Sequence, residues 1–408
     1  MSDGNPRLLV VKAAMNVNGG AERDLLRNLP CIAEKFEVRF ACLNIQDSQQ
    51  ALIESMRVEV LCPDNQWIVK GGLWNEITAG QERSAAASWR KFEAVHEAIE
   101  WADAIHLAGG DGSMEFLQFI PANKPVHLHY HESKPGIHEG FSHLNLDGSG
   151  RWKPIILHLL QRFQRKRIEK SYRGFIENPK WIISANSYFS AGNLKRIYGI
   201  TGGVLYPSVD LSEFPRQPTK GEDLAFNNLS IGKKGTYVVT IGRICYFKGT
   251  FSAIEVLQGT DLSLIVVGNG SDEEKNMLRT VGHSLGVKVT IRSGLSSESM
   301  RSIMRNSAAV IGLAKGEAFG LTPIESMALG VPPIFINKGG YAETIVDGEN
   351  GRLIDEENSG LWKEALEQAR DPETKMNWGV SGLTRIEELG LTPESHATIL
   401  EGKITTLL

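Results

Sequence analysis

The chain has 408 residues, 41% of them hydrophobic and 23% charged, a composition typical of globular proteins that excludes a disordered chain. Lysine and arginine number 44 against 48 aspartates and glutamates, and the net charge of −4 argues against a protein that coats nucleic acid. No run approaches about 18 apolar residues, so no membrane-spanning helix is predicted, and the first residues lack the pattern of a secretion signal. The four cysteines form no CxxC pair and indicate reduced thiols in a cytoplasmic protein.

The first half of the chain alternates apolar runs with helical patterns. Strands are predicted at 8–14, 36–43, 104–109, 126–131 and 181–185, and the clearest helices at about 21–34 and 152–176. This alternation is typical of stacked βαβ units around a parallel sheet. We therefore predict a Rossmann-like domain over residues 1–214.

The alternation breaks at residues 215–235, which are rich in Pro, Gly, Asn and Lys and typical of a linker or hinge. It then restarts, with strands predicted at 237–241, 262–267, 287–291, 309–313 and 333–336. A second Rossmann-like domain is therefore predicted over residues 235–385. Residues 386–408 are predicted to form a C-terminal helix.

Two motifs follow the first two strands of the second half, where open parallel sheets bind their ligands. In IGRICYFKG, Gly242 and Arg243 end a strand and Lys248 precedes the next helix. A guanidinium fork and an ammonium could hold the oxygens of a diphosphate there, and a solvated basic turn is the alternative. In VVGNGSDEE, Gly268 and Gly270 permit close approach of a ligand, although a tight turn with a helix cap explains the same pattern.

The strongest motif is GEAFGLTPIESMALGVPPI, in which a helix is predicted to start near the threonine and proline. The N–H groups of Phe319, Gly320 and Leu321 would then form an anion site at the positive end of the helix dipole. Glu317 precedes this site and Glu325 lies one turn inside the helix. Because carboxylates repel phosphate, they must bind neutral hydroxyls, which suggests a nucleotide sugar as the ligand. A surface Glu317 and a dipole-complementing Glu325 are the alternative.

The ordered motifs of the second half resemble the donor-binding domain of a family 4 glycosyltransferase of the GT-B architecture. Seven residues separate the two glutamates, Gly330-Val331-Pro332 follows them, and a GG…E…DG…G pattern spans 339–351. The resemblance is strong over about residues 235–360 and weaker in the NGGAERDLL and SANSYFSAGNLKRIYGI segments. It implies an α/β fold with two Rossmann-like domains facing across a cleft, and we expect the helix at 386–408 to return to the N-terminal domain.

The resemblance also implies an activity, the retaining and metal-independent transfer of a sugar from a nucleotide diphosphate sugar to an acceptor hydroxyl. It implies that Glu325 binds the ribose and Glu317 the donor sugar, while Arg243 and Lys248 neutralise the leaving diphosphate. No carboxylate in the N-terminal motifs is an obvious nucleophile. We therefore favour attack by the acceptor on the face that the diphosphate leaves, with the phosphate taking the acceptor proton.

In the N-terminal half, Gly19 and Gly20 lie between a strand end and a helix start and could form another backbone cradle near the donor. His127, His129 and His131 alternate along one strand and would share a face, where a zinc site is an alternative to packed histidines. We favour His131, at the strand end, as an active-site residue, with His129 as second choice; it resembles the family's histidine at that place. No metal or other cofactor is predicted.

Two further segments leave their interpretation open. AGGDGS, at 108–113, either lines the acceptor side or is a turn capped by Asp111. The basic run at 161–173 is either a solvated helix face, which we prefer, or a surface that presses on an anionic membrane holding a lipid-linked acceptor.

The predicted function has rivals. A nucleotide-sugar epimerase or a phosphorylase of the same architecture is the nearest rival, but the phosphorylase would need a pyridoxal lysine, which cannot be located. A non-catalytic saccharide-binding or nucleotide-sugar-binding relative is another rival. A dehydrogenase is disfavoured because no strand is followed by GxGxxG. The expected partners are a nucleotide sugar and a saccharide, lipid-linked saccharide or small-molecule acceptor in glycan, polysaccharide or glycolipid synthesis, with no nucleic acid. The expected location is the cytoplasm, with the inner face of a membrane left open.

Overall fold

The computed structural model describes residues 4–15, 19–68, 79–110, 112–131, 148–149, 166, 168–355 and 359–408. They divide into two compact units. The first unit holds the described residues up to Ser208, except 148–149, together with Pro393–Leu408. The second unit holds 148–149 and Val209–Thr392.

The first unit is built on a seven-stranded parallel sheet with the order β5-β3-β1-β6-β7-β8-β9, beside a two-stranded sheet of β2 and β4. Its strands are β1 Arg7–Val11, β2 Ala14–Met15, β3 Glu37–Ala41, β4 Asn44–Ile45, β5 Glu59–Leu61, β6 Ala104–Ala108, β7 Val126–Tyr130, β8 Trp181–Ala185 and β9 Gly203–Val204. Its helices in this part of the chain are α1 Gly20–Lys35, α2 Asp47–Ser55, α3 Gly80–Lys91, α4 Glu93–Trp101, α5 Gly174–Glu177 and α6 Tyr188–Tyr198, with a 3₁₀ turn at Met114–Phe119.

The second unit is built on a six-stranded parallel sheet with the order β12-β11-β10-β13-β14-β15. Its strands are β10 Tyr237–Ile241, β11 Ser263–Val267, β12 Val289–Arg292, β13 Val310–Gly312, β14 Pro333–Ile336 and β15 Arg352–Ile354. Its helices are α7 Lys220–Leu229, α8 Thr250–Glu255, α9 Asp272–Ser284, α10 Ser297–Arg305, α11 Leu321–Ala328, α12 Tyr341–Thr344, α13 Ser359–Arg370 and α14 Pro372–Glu388, with a 3₁₀ turn at Tyr246–Lys248; α15, Pro393–Thr405, is part of the first unit.

Burial on both faces explains why the central strands are continuous apolar runs. In β1, Leu8 and Val10 pack into one hydrophobic cluster and Leu9 and Val11 into another, because successive side chains of a strand point to opposite faces. The first of these clusters also contains Leu29 of α1 and residues 397, 400 and 404 of α15, so the C-terminal helix packs on the first unit.

In each unit the strand order reverses beside the first strand. β1 lies between β3 and β6, and β10 lies between β11 and β13. In an open parallel sheet, the carboxyl ends of the strands at this reversal form a crevice where ligands bind. The residues that follow β1 and β6 in the first unit, and β10 and β13 in the second, are therefore candidates for ligand binding.

The segment 215–235, predicted as a linker, contains helix α7, so that prediction is wrong over residues 220–229. Thr219 caps the helix by accepting from the N–H of Glu222. The Glu222 side chain is 1% exposed and forms ion pairs with Arg301 (2.9 Å) and Arg305 (2.8 Å) of α10. These contacts fix α7 against the second unit.

The helix predicted at 152–176 lies largely outside the described residues. Within its range, 168–172 are helical and α5 begins at Gly174. Among the helices of the described residues, none has the length and apolar character needed to cross a membrane.

Candidate donor site and histidine cluster

The predicted site residues of the second unit gather where β10 and β13 end. Gly242, with φ of +148°, turns the chain after β10, and Arg243 is exposed and forms no ion pair with any residue that the structure describes. The stem of Lys248 passes close to Gly242. The backbone of Gly249 lies against the carbonyl of Leu313 after β13, which brings Lys248 toward the loop that follows that strand.

Lys248 and Glu317 form an ion pair that the sequence analysis did not foresee. Lys248 Nζ lies 2.6 Å from Glu317 Oε2, and the two side chains are 25% and 21% exposed. The sequence predicted two separate contacts, of the Lys248 ammonium with a diphosphate and of the Glu317 carboxylate with a sugar. The pairing places a cation and a carboxylate at one point of the sheet edge.

The start of α11 is shaped by backbone packing. The helix begins at Leu321, one residue earlier than predicted, and Gly320 has φ of +91°, which favours glycine. A side chain at position 320 would meet the ring of Tyr341, and the N–H of Gly340 donates to Glu317 O at 2.8 Å. The helix start therefore leaves room for backbone only, as an anion cradle requires.

Two predicted donor-site side chains are buried. Phe319 is 2% exposed and Glu325 is 3% exposed. Only the backbone of Phe319 is thus available for the predicted cradle, and Glu325 is a buried carboxylate on the first turns of α11.

Gly268 and Gly270 have a structural explanation. A side chain at position 268 would collide with the carbonyl of Gly242, and one at position 270 would press on Ile244. Ser271 and Glu274 form a reciprocal capping box at the start of α9. The capped turn, which the sequence analysis left open, is therefore present, and it joins the ends of β10 and β11.

In the first unit, a buried ion pair lies at the reversal of strand order. Lys12, which follows β1, is 3% exposed; its Nζ donates to Gly109 O at 2.6 Å and lies 3.1 Å from Glu22 Oε1. Gly19 is the N-cap of α1, which begins at Gly20, and a side chain at position 19 would meet the Glu22 carboxylate. Sequence reasoning missed this pair, although a lysine directly after an apolar run at a strand end was a visible signal.

Histidines form a buried cluster at β6 and β7. His106 Nδ1 lies 2.9 Å from His127 Nδ1, whose Nε2 lies 2.9 Å from Ser184 Oγ. The rings of His129 and His131 are 4.5 Å apart, and His396 of α15 lies 5.6 Å from His129. Both ring nitrogens of His127 are thus engaged in hydrogen bonds, with His106 and with Ser184. The zinc site of His127, His129 and His131, considered from the sequence, therefore does not form.

Burial governs the protonation of this cluster. It lowers the pKa of His106 and of His131 to about 3, and the pKa values of His127, His129 and His396 are also lowered, first by burial. The imidazoles are therefore neutral near pH 7. His131, just after β7, presents a neutral ring at the sheet edge beside Gly109.

The remaining open segments are resolved only in part. Asp111, Arg162 and Arg165 lie outside the described residues. Ser113 accepts from the N–H of Ala13 at 3.0 Å, which ties the glycine-rich turn to the end of β1. Lys166, Lys170 and Arg173 are exposed.

The chain is similar in sequence to known glycosyltransferases. Residues 222–382 match the family described as Glycosyl transferases group 1. Human alpha-1,3/1,6-mannosyltransferase ALG2 is 28% identical over 251 residues, 55% of this chain and 58% of that protein. D-inositol 3-phosphate glycosyltransferase of Paenarthrobacter aurescens is 26% identical over 270 residues, 61% of this chain and 65% of that protein. The chain thus matches less than two thirds of the length of these relatives.

A solved structure extends the similarity of fold to both units. The crystal structure of Anabaena Alr3699/HepE in complex with UDP and glucose has a TM-score of 0.71 at 16% identity, covering 98% of this chain and 100% of that one. The prediction of two parallel-sheet domains of the GT-B type is confirmed. This chain therefore combines a GT-B fold with a segment, residues 222–382, that matches the glycosyl transferases group 1 family.

Proposed function

We propose that this chain is a retaining glycosyltransferase that moves a sugar from a nucleotide diphosphate sugar to an acceptor hydroxyl, without a metal or other cofactor. The observation that carries this proposal is the grouping of exposed Arg243 with the Lys248–Glu317 ion pair where β10 and β13 end. This grouping lies within the residues that match the group 1 family. The fold relative Alr3699/HepE, crystallised with UDP and glucose, also supports a nucleotide sugar as ligand.

In this proposal the second unit stabilises the leaving diphosphate. The Lys248 ammonium, which donates one hydrogen bond to Glu317, supplies positive charge for the phosphate oxygens. Arg243 offers a planar fork that matches phosphate geometry. The backbone amides of residues 319–321 add the positive end of the α11 dipole.

The two glutamates have different roles in the proposal. Glu317, a quarter or less exposed, accepts hydrogen bonds from the hydroxyls of the donor sugar. Glu325 accepts hydrogen bonds from the ribose. Because Gly242, Gly268 and Gly270 have no side chains, the ends of β10 and β11 pack closely together. The nucleotide can then approach the backbone there.

The reaction then needs no protein nucleophile. The bond between sugar and diphosphate breaks, an oxocarbenium-like species forms, and the acceptor hydroxyl attacks the face that the diphosphate has left. The leaving phosphate takes the acceptor proton. The protein lowers the barrier chiefly through the charges and dipoles that face the departing diphosphate.

The first unit supplies the contacts to the sugar or the acceptor. His131 is neutral and acts as a hydrogen-bonding group. Gly19 and Gly20 bring the backbone at the start of α1 close to the ligand. We propose a saccharide, a lipid-linked saccharide or a small molecule as acceptor, and a cytoplasmic site of action that the four free thiols support.

A transfer assay tests this function. The purified chain is incubated with a panel of nucleotide sugars and a panel of acceptor saccharides, and the release of nucleoside diphosphate and the anomeric configuration of the product are followed by NMR. We expect one donor to react and the product to keep the configuration of the donor. Inversion would contradict the retaining mechanism, and hydrolysis or epimerisation without transfer to any acceptor would contradict the transferase assignment.

A further inference from the structure

A carboxylate and two imidazoles converge inside the first unit. One ligand atom each from Asp24 of α1, His129 of β7 and His131 lies within 4.8 Å of the other two. Carboxylate oxygen and imidazole nitrogen together suit divalent transition ions such as Zn²⁺ and Co²⁺. This set differs from the run of three histidines visible in the sequence, because Asp24 replaces His127.

Hydrogen bonds leave both imidazoles with available lone pairs. His129 Nε2 lies 2.9 Å from Leu205 O, so this nitrogen carries the proton and the neutral ring keeps its lone pair on Nδ1. Metal-binding histidines commonly donate their other N–H to a backbone carbonyl in this manner. His131 Nδ1 is buried and has no hydrogen-bond partner among the described residues, and a buried polar atom of this kind requires explanation.

The carboxylate is held in place by neighbours. Asp24 is 2% exposed, and its Oδ1 accepts from the N–H of Ser208 at 2.9 Å and from Asn28 Nδ2 at 3.0 Å. Such outer partners fix the direction of a metal ligand.

The surrounding charges permit a cation. Lys12, which affects His131, is paired with Glu22 at 3.1 Å, and Arg27, which affects Asp24, donates to Ser208 O at 2.7 Å. The His131 side chain as a whole is partly exposed, so the set lies next to the protein surface.

We propose that Asp24, His129 and His131 form a binding site for one divalent transition ion of the Zn²⁺ class. The site is separate from the proposed catalysis, which needs no metal. In the proposed function the His131 imidazole forms a hydrogen bond with the sugar or the acceptor. An ion that binds this imidazole prevents that hydrogen bond. Zn²⁺ is therefore an inhibitor of the transfer, a consequence that rests on the proposed function, whereas the binding of the ion does not.

The binding is tested on the full chain, first stripped of metal with a chelator. Zn²⁺ is titrated by calorimetry, and Co²⁺ by its visible absorption, which reports the number and type of ligands. We expect one ion per chain. In His129→Gln and His131→Gln we expect a loss of affinity of more than about 100-fold, because loss of an outer partner alone costs 10–100-fold. His283→Gln, an exposed histidine on α9 of the second unit, is the matched control and keeps the affinity.

The outcomes separate the ion site from the proposed function. Absence of binding, or binding that survives both His129→Gln and His131→Gln in proteins with native circular dichroism, overturns the site. Asp24→Asn, which keeps the shape but removes the charge, serves as a further variant and must also weaken binding. If the ion binds but no transfer is found, the proposed function fails and the ion site stands. If transfer is found but no ion binds, the ion site fails and the proposed function stands.

Discussion

Lys248 Nζ lies 2.6 Å from Glu317 Oε2, which joins the turn after β10 to the loop after β13. Although 69 positions separate the two residues in sequence, the parallel sheet brings their strand ends to the same edge. The pair holds the ammonium in place beside the exposed Arg243. Its net contribution to stability should be small, because ion pairs near the surface contribute about 0–1 kcal/mol.

Lys248→Ala should therefore impair the reaction far more than the fold. We expect kcat to fall at least about 100-fold, the scale of losing one charge-stabilising donor, and the melting temperature to change little. Lys275→Ala is the control, since the ion pair that Lys275 forms within the described part of the chain is with the exposed Asp272 of α9, at 3.6 Å. A folded Lys248→Ala enzyme with wild-type turnover would remove this lysine from the mechanism.

The two glutamates should fail in different ways. Glu325→Gln should weaken the binding of free nucleoside diphosphate and donor alike, by roughly 1.5–3 kcal/mol for hydrogen bonds to a charged group. Glu317→Gln should leave the free nucleotide bound as tightly or more so, because the substitution removes a carboxylate near the phosphates and frees Lys248. The main effect of Glu317→Gln should be a lower kcat. Calorimetry with nucleoside diphosphate separates the roles, and equal weakening in both variants would show that they are assigned wrongly.

Chelation should not reduce transfer. The proposed site neutralises the diphosphate with Arg243 and Lys248, so no ion is required there. Activity is measured before and after dialysis against EDTA, and we expect equal or higher rates after dialysis. Loss of turnover that added Zn²⁺ restores would require the Asp24–His129–His131 set to be interpreted as catalytic.

The sequence was informative about the frame of the molecule and much less so about its buried polar contacts. The long central strands were predictable because burial on both faces makes them apolar throughout, as in Leu8–Val11. Short β5 and β15, with three residues each, carry too little pattern to be recognised. Helix α7 was hidden because its polar residues resemble a linker, and only the fold reveals that Glu222 meets two arginines.

The site shows the same limit. Arg243, Lys248 and Glu317 could be singled out as candidates because glycine-rich strand ends mark them. The ion pair between the last two depends on strand order, which the local sequence does not record. The pairing of Lys12 with Glu22 and the approach of Asp24 to the histidines depend on how α1 packs against the sheet, which no local pattern records.

The buried histidines should make the fold sensitive to acid. Their folded pKa values lie below the value of about 6.5 expected in the unfolded chain, so they stabilise the fold above pH 6.5 and lose this contribution as pH falls below it. Each histidine that stays neutral only when folded contributes a slope of about 1.4 kcal/mol per pH unit there. Asp24, whose pKa is raised by burial, acts in the opposite direction.

Urea unfolding at pH 7.5 and pH 5.5 measures this effect. We expect the free energy of unfolding to fall steeply between the two, and His106→Asn to reduce the fall by removing one titrating group. The exposed His283→Asn is the control and should leave the slope unchanged. Equal stability at the two pH values would contradict neutral burial of the cluster.

Glu222→Ala should destabilise the second unit. The substitution leaves the guanidinium groups of Arg301 and Arg305 without the carboxylate that pairs with both, and breaking a buried ion pair costs about 3–5 kcal/mol. Its exposed neighbour Asp223 is the matched control, and Asp223→Ala should lie within about 0.5 kcal/mol of the wild type. Similar unfolding midpoints for the two variants would show that α7 is not fixed by this network.

The central claim is that Arg243 and Lys248, beside Glu317, bind the diphosphate of a nucleotide sugar. A thermal-shift panel of nucleoside diphosphates and nucleotide sugars tests it most directly, because a ligand that binds only the folded state raises the melting temperature. The account predicts stabilisation by one nucleoside diphosphate and its sugar conjugates, and loss of the shift in Arg243→Ala/Lys248→Ala but not in Lys275→Ala. No shift with any nucleotide, or an equal shift in the double variant, would contradict it.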